Sequence, residues 1–162
     1  VASAIVIEDW NFKEKIDDSK RLTSYERQRA FYEILSKARV GFGIVPHQII
    51  DQRNIYQATL MAMEEALKAL KAKVDFLLID GPIKLSRKEP QMGIIGGDGK
   101  IFSIACASIA AKVLRDDMME SYGLIYPKYG FAQHKGYGTP EHIKLIKKYG
   151  YSSIHRRSFK IG

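Results

Sequence analysis

Two aspartates sit where a carboxylate can do chemistry. Asp80 follows the apolar run Phe76-Leu-Leu-Ile79 and precedes Gly81. A carboxylate directly after a buried strand lies at the carboxyl edge of a sheet, where α/β proteins place their ligands. Asp98 repeats the arrangement one element later, with Ile94-Ile95, the turn Gly96-Gly-Asp-Gly99 and then a helical stretch. Carboxylates at the ends of neighbouring strands repel unless a cation lies between them. Hard oxygen ligands with room for water suit Mg²⁺ or Mn²⁺, ions that activate water and steady the leaving oxygen in phosphodiester cleavage. An Asp-Gly pair also caps turns, and the residues alone leave both readings of Asp80 open. Asp116 and Asp117 lie inside the next helix, where Asp116 beside Arg115 reads as a structural ion pair.

The second chemical signal is charge. The net charge is +8, and the segment from Gly123 onward holds eight of the Lys and Arg residues against Glu141 alone. Three of the four histidines and five of the nine tyrosines fall there too. Cations interleaved with aromatic rings suit a polyanion that offers flat groups to stack on, which is nucleic acid. A merely solvated basic face remains the plainer alternative.

Other constellations fail. Gly96-Gly-Asp-Gly-Lys100 resembles a phosphate loop, but its upstream Gly position holds Ile94 and its Ser/Thr position holds Ile101. No Gly-x-Ser-x-Gly elbow occurs, and His134 and His142 lack zinc-like spacing or a cysteine partner. The single Cys106 excludes an internal disulfide, sits on an alanine-rich stretch, and fits a reducing compartment. No apolar run nears the roughly 20 residues of a membrane span, so a cytoplasmic, membrane-free protein is expected.

The elements that must position these residues follow from pattern. Residues 1–7 read as a strand that begins abruptly, which suggests that residues ahead of Val1 exist. Thr23 and Glu26 form a capping box for a helix over 24–38. Val40–Val45 reads as a strand stopped by Pro46. Ile55, Ala58, Ala62, Ala66 and Leu70 make the stripe of a helix over 54–70. The run 76–79 predicts a strand buried on both faces, and 94–95 a short strand. A helix with a small-residue face spans 102–122, and Thr139-Pro140 opens another that ends at Gly150. Alternating strands and helices make an α/β domain with its sheet in the middle.

Together these motifs resemble the ribonuclease HII family. The blocks are Asp18-Ser-Lys-Arg-Leu22, Asn54-Ile-Tyr-Gln-Ala-Thr59, Leu78-Ile-Asp-Gly81, Gly97-Asp98 and Ala107-Ser-Ile-Ala-Ala-Lys-Val-Leu-Arg-Asp116. Tyr129-Gly-Phe-Ala-Gln-His-Lys-Gly-Tyr-Gly-Thr139 and His155-Arg-Arg-Ser-Phe159 complete the order across the chain. The resemblance implies an RNase H-like fold, with a central mixed sheet flanked by helices and a C-terminal helical basic segment. It divides one domain into a catalytic core over 1–122 and a nucleic-acid-binding segment over 123–162. It further implies an endonuclease that cuts the RNA strand of RNA–DNA hybrids and incises 5′ of ribonucleotides embedded in duplex DNA, acting as a monomer.

In that family four carboxylates hold Mg²⁺ or Mn²⁺; the third matches Asp80 and the fourth Asp98. The lysine two positions before the fourth is Gly96 here. The first two belong to an Asp-Glu-Ala-Gly-Arg-Gly segment that these 162 residues do not contain, so the chain by itself is expected to be inactive. Tyr137 matches the tyrosine that packs on the sugar after the RNA–DNA junction. Ser19 and Lys20 match a loop that touches the DNA backbone, and His134 and Lys135 are expected to do the same. Arg156 and Arg157 either contact nucleic acid or pin the C-terminus. The competing expectations are a binding-only nucleic-acid module and, less consistent with the failed phosphate loop, a nucleotide-binding metabolic enzyme.

Overall fold

The computed structural model describes residues 1–159, so Lys160 of the basic segment lies outside the described residues. Two compact units emerge, both discontinuous in sequence. The first comprises 1–44 and 59–113, the second 45–58 and 114–162.

In the first unit, β1 (Ala2–Ile7) pairs antiparallel with β2 (Ala38–Gly43), matching Ile5 to Val40 and Ile7 to Ala38. Helix α1 (Ser24–Lys37) starts at the expected capping box. The Thr23 hydroxyl accepts the Glu26 N–H at 3.2 Å, and the Glu26 carboxylate accepts the Thr23 N–H at 2.7 Å. Ala30 and Ile34 of α1 meet Leu22, Cys106, Ile109 and Val113 in one apolar core, flanked by Ile5, Phe12 and Phe102. Cys106 is completely buried, and that burial pushes its thiol up to about 12, so it packs rather than reacts.

Helix α2 (His47–Ala69) begins seven residues before the expected start and breaks at Asn54, where φ is 73° and ψ 166°. The Asn54 side-chain oxygen accepts the Gln57 N–H at 3.0 Å and so caps the second half. That break turns Ile55 outward, so it leaves the apolar stripe. Ala58, Ala62, Ala66 and Leu70 are buried as the spacing predicts. The small residues serve β2: a Cβ on Gly41 would lie 2.2 Å from the Ala66 carbonyl oxygen, and one on Gly43 1.8 Å from that of Ala62. The ladder with β1, from Ile7–Ala38 to Ala2–Gly43, sets the strand at 38–43, ahead of the expected 40–45, and Ile44 beyond it is exposed.

β3 (Leu77–Asp80) runs parallel to β4 (Gln91–Ile94), with Asp80 opposite Ile94. Burial alternates along β3: Leu77 and Ile79 join Leu85 in a second core, while Phe76 and Leu78 are exposed. The expected strand with two buried faces is therefore half-buried, and Ile95 is exposed beyond the end of β4. Among the described residues the ladders form two pairs, one antiparallel and one parallel, rather than one continuous sheet.

Helix α3 (Phe102–Ile125) runs three residues past the expected end. The second unit also contains a 3₁₀ turn at Pro127–Tyr129, a single-turn α4 (Phe131–His134) and α5 (Pro140–Tyr149). Thr139 caps α5 by accepting the His142 N–H at 3.2 Å, and Gly150 ends it at φ 76°.

Candidate functional site

In the first unit, three loops converge on the carboxyl end of β3. Asp80 is exposed there and accepts the Gly97 N–H at 2.8 Å. Gly97 is buried, and a Cβ on it would lie 2.7 Å from the Ile104 side chain and 3.3 Å from Asp80 Oδ1. Glycine there lets the turn close over the carboxylate. Gly96 adopts φ 64°, a left-handed conformation that costs most other residues, which gives this position a backbone reason to be glycine. The 3₁₀ turn Gly97–Gly99 then places Asp98, whose side chain is only 12% exposed, within 3.7 Å of the Lys20 ammonium.

Ser19 and Lys20 come from the loop ahead of α1. The Asp18 carboxylate accepts the Lys20 N–H at 2.9 Å and folds the turn. Ser19 is buried, its hydroxyl 3.0 Å from that of Ser108 on α3, and Arg27 donates to the Ser19 carbonyl at 2.8 Å. Asp80, Asp98, Ser19 and Lys20 are thus brought together. Lys20 stays largely exposed, while the Ser19 side chain anchors the loop to α3.

The second unit is organised around three buried histidines. The Tyr137 carbonyl can only accept, so the 2.8 Å contact places a proton on His142 Nδ1. His142 Nε2 then accepts, at 3.0 Å, the proton on His155 Nε2. His155 Nδ1 in turn accepts the Ser152 N–H at 2.8 Å. His134 donates from Nε2 to the Tyr129 carbonyl at 2.6 Å, accepts the Gly136 N–H at 3.1 Å, and stacks on His142 with centroids 4.0 Å apart. Phe131, fully buried, meets all three rings. Every ring is satisfied as the neutral form. Burial accordingly lowers His142 below the ordinary histidine range, and burial plus the neighbouring His142 lowers His155 to about 4.

His134 is therefore a structural ring rather than an exposed contact. It holds the loop in which Lys135 and Gly136 both take left-handed φ, 51° and 76°. Lys135 forms an ion pair with Glu120 and its carbonyl accepts from Arg115 Nη2 at 2.8 Å. Tyr137 is half-exposed, with the Arg115 guanidinium 4.7 Å from its ring centre. Asp116 pairs with Arg115 at 3.5 Å, as its neighbour in sequence suggests.

Around Arg157 the C-terminal segment is held to Asp51. The backbone is pinned: the Arg157 and Ser158 N–H groups donate to Asp51 at 3.0 and 2.9 Å, and the Ser158 hydroxyl donates at 2.6 Å. These bonds, the hydroxyl foremost, hold the Asp51 carboxyl down at about 2. The Arg157 side chain is exposed, whereas Arg156 is partly covered and lies over the Phe159 ring at 5.1 Å. The sequence did not signal Asp51, Glu120, the contacts of Arg115 to Lys135 and Tyr137, or the His142–His155 link. Only the density of His and Tyr in this segment could have signalled the last of these.

With this geometry in place, comparison decides the family. A family model described as Ribonuclease HII matches residues 1–161. The chain belongs to the ribonuclease HII family. Ribonuclease HII of Geotalea daltonii is 48% identical over 160 residues, covering 98% of this chain and 74% of that protein. The Lactobacillus helveticus ribonuclease HII is 48% identical over 164 residues, covering 98% and 64%. In length the chain spans 74% of the first relative and less than two thirds of the second.

Among solved structures, the PCNA:RNase HII complex from Archaeoglobus fulgidus aligns with TM-score 0.79 at 20% identity, covering 98% of this chain and 86% of that one. The ribonuclease H2 of Pyrococcus horikoshii aligns at 0.69 and 22%, covering 90% and 77%. The fold is the α/β, RNase H-like one the motifs implied.

Asp80 and Asp98 offer only hard oxygen donors, and Lys20 shows that a cation is accommodated beside Asp98. Among the described residues no group of three or more acidic, His or Cys side chains assembles. The pair therefore fits a hard divalent ion in kind.

Proposed function

We propose that this chain belongs to an endonuclease that hydrolyses the RNA strand of RNA–DNA hybrids and incises 5′ of ribonucleotides embedded in duplex DNA. The observation carrying the reading is the convergence of Asp80, Asp98 and Lys20 at the carboxyl end of β3, in a chain of this family. Asp80 and Asp98 would hold Mg²⁺ or Mn²⁺, which when bound supplies an activated water and stabilises the leaving oxygen. Asp80 is kept in orientation by the Gly97 N–H, and Lys20 offsets the charge of Asp98. Lys20, Lys135, Arg156 and Arg157 would face phosphates, and Tyr137 would pack on the sugar after the junction, where a deoxyribose fits and a 2′-hydroxyl crowds.

These 162 residues hold two of the four carboxylates implied by the resemblance, so they should bind the ion weakly and not cleave by themselves. The test is a labelled DNA duplex with one ribonucleotide, with Mg²⁺ or Mn²⁺ present. It is offered to the 162-residue chain and to the chain extended by an N-terminal Asp-Glu-Ala-Gly-Arg-Gly segment. Cleavage only by the extended chain, leaving a 3′-hydroxyl and a 5′-phosphate, is expected. Duplex binding without cleavage by either would instead support a binding-only module.

A further inference from the structure

We propose that Arg115 is the positioning residue for Tyr137 and through it sets selectivity for the sugar after the junction; this rests on the reading that Tyr137 packs on that sugar. Arg115 lies on α3, its side chain three-quarters covered. One face of its guanidinium lies over the Tyr137 ring, 4.7 Å from the centre. Its Nη2 donates to the Lys135 carbonyl at 2.8 Å, and its Nη1 is 3.5 Å from Asp116. The planar fork therefore holds the ring and the backbone two residues before it at once, a combination open to arginine and not to lysine.

The loop itself needs such a hold. Lys135 and Gly136 are both in the left-handed region, and a Cβ on Gly136 would press within 3.1 Å of Met119 on the same helix as Arg115. On the other side the Tyr137 carbonyl is fixed by His142. Backbone and ring are thus anchored from two directions while the ring stays half-exposed. A ring fixed before the substrate arrives loses less freedom on binding. It also cannot swing aside to admit a 2′-hydroxyl.

The experiment is a double-mutant cycle on the 162-residue chain, reading affinity by fluorescence anisotropy. The probes are two duplexes: DNA with one ribonucleotide, whose 3′ neighbour is a deoxyribonucleotide, and a hybrid whose RNA strand runs its full length with no RNA–DNA junction. Arg115→Met should weaken binding of the first duplex by about three- to tenfold, the scale of a cation–π contact. It should also shrink the preference for the first duplex over the second. In a Tyr137→Ala background the same substitution should change neither. Arg115→Lys, which keeps the charge and the stem but not the fork, should recover at most a small part of the loss. The salt dependence should be unaltered, because a direct phosphate contact would change the log–log slope by about 0.9.

Persistence of the Arg115→Met effect without Tyr137, a shallower salt slope, or wild-type behaviour of Arg115→Lys would each overturn the proposal. An unaltered preference between the two duplexes in Tyr137→Ala alone would instead overturn the sugar-packing reading. Should Arg115→Met unfold the chain, the Arg115 side-chain NMR shift in wild type and Tyr137→Leu keeps the test open. Ring stacking requires that shift to move downfield when the ring is removed, and no movement counts against it.

Discussion

The two regions that carry polar chemistry differ in how much of it is spent internally. In the second unit His134, His142 and His155 use both ring nitrogens on neighbours, and Asp51 accepts three hydrogen bonds. Around Asp80 and Asp98 the partners are one backbone N–H and one loose lysine contact at 3.7 Å. Satisfied groups stabilise a fold, and under-satisfied, reachable ones are what remains for a ligand. Residues with equal chemical promise in the sequence therefore part company, and substitutions in the two places should fail in opposite ways.

The largest expected effect is on cleavage. In the extended chain, Asp80→Asn or Asp98→Asn should lower metal-dependent cleavage of the ribonucleotide duplex by about a thousandfold or more. The urea midpoint should hold or rise, because removing one charge relieves repulsion between the carboxylates. A variant that loses stability with its activity would mean that Asp80 or Asp98 serves the fold.

The mirror case is His155→Ala. It strips the acceptor from the Ser152 N–H and the donor from His142 Nε2, and it opens space beside Phe131. Unsatisfied buried groups and a cavity together should cost about 2–4 kcal/mol, read as a lower urea midpoint. Loss of only a few tenths of a kcal/mol would show that the buried chain of rings is not holding this unit.

Acid should attack the second unit first. His155 is lowered to about 4 and His142 is also lowered, both led by burial. Unfolded histidines titrate near 6.5, so below that pH the unfolded chain binds protons that the native one refuses. Stability is complete above about pH 6.5 and falls as pH drops toward about 4, with a slope near or above one proton. Asp51 adds a further loss between the ordinary aspartate range and about 2, where its hydrogen bonds are finally surrendered. Unfolding midpoints from about pH 7.5 down to about 2 measure this, and a flat profile between about 6.5 and 4.5 would contradict neutral, buried rings.

The contrast also explains what was legible beforehand. Asp80 and Asp98 were readable because their positions follow from local order: strand, aspartate, glycine. The capping box of α1 and the start of α5 are equally local. The helical turns at 47–53 were not, because the expected helix starts at the Asn54 cap and no apolar stripe marks the residues ahead of it. The half-exposed β3 defeated the pattern because Phe76 and Leu78 look apolar whichever way they face. Ser19 and His134 were placed with the binding residues by motif, yet tertiary contacts to Ser108 and Tyr129 bury them. The Arg157 backbone bonds to Asp51 join residues 106 apart in the chain, and no spacing rule reaches that far.

The smallest effect sharpens the comparison at its border, where a residue assigned to binding is already paired. Lys135 forms an ion pair with Glu120, which is exposed, while the lysine itself is mostly covered. A phosphate facing Lys135 must therefore compete with a carboxylate, and exposed pairs of this kind are worth only about 0–1 kcal/mol. If Lys135 reaches the duplex, Lys135→Ala should weaken binding modestly and make the log–log salt slope shallower by up to about 0.9. Glu120→Gln should do the opposite at low salt, tightening binding by roughly two- to fourfold as the competing charge is removed. Anisotropy titrations of both variants between 50 and 200 mM salt, roughly the range over which such contacts are lost, decide it. Lys135→Ala with an unchanged slope and Glu120→Gln with unchanged affinity would place Lys135 with the buried histidines, among the residues that build the loop rather than those that meet the phosphate.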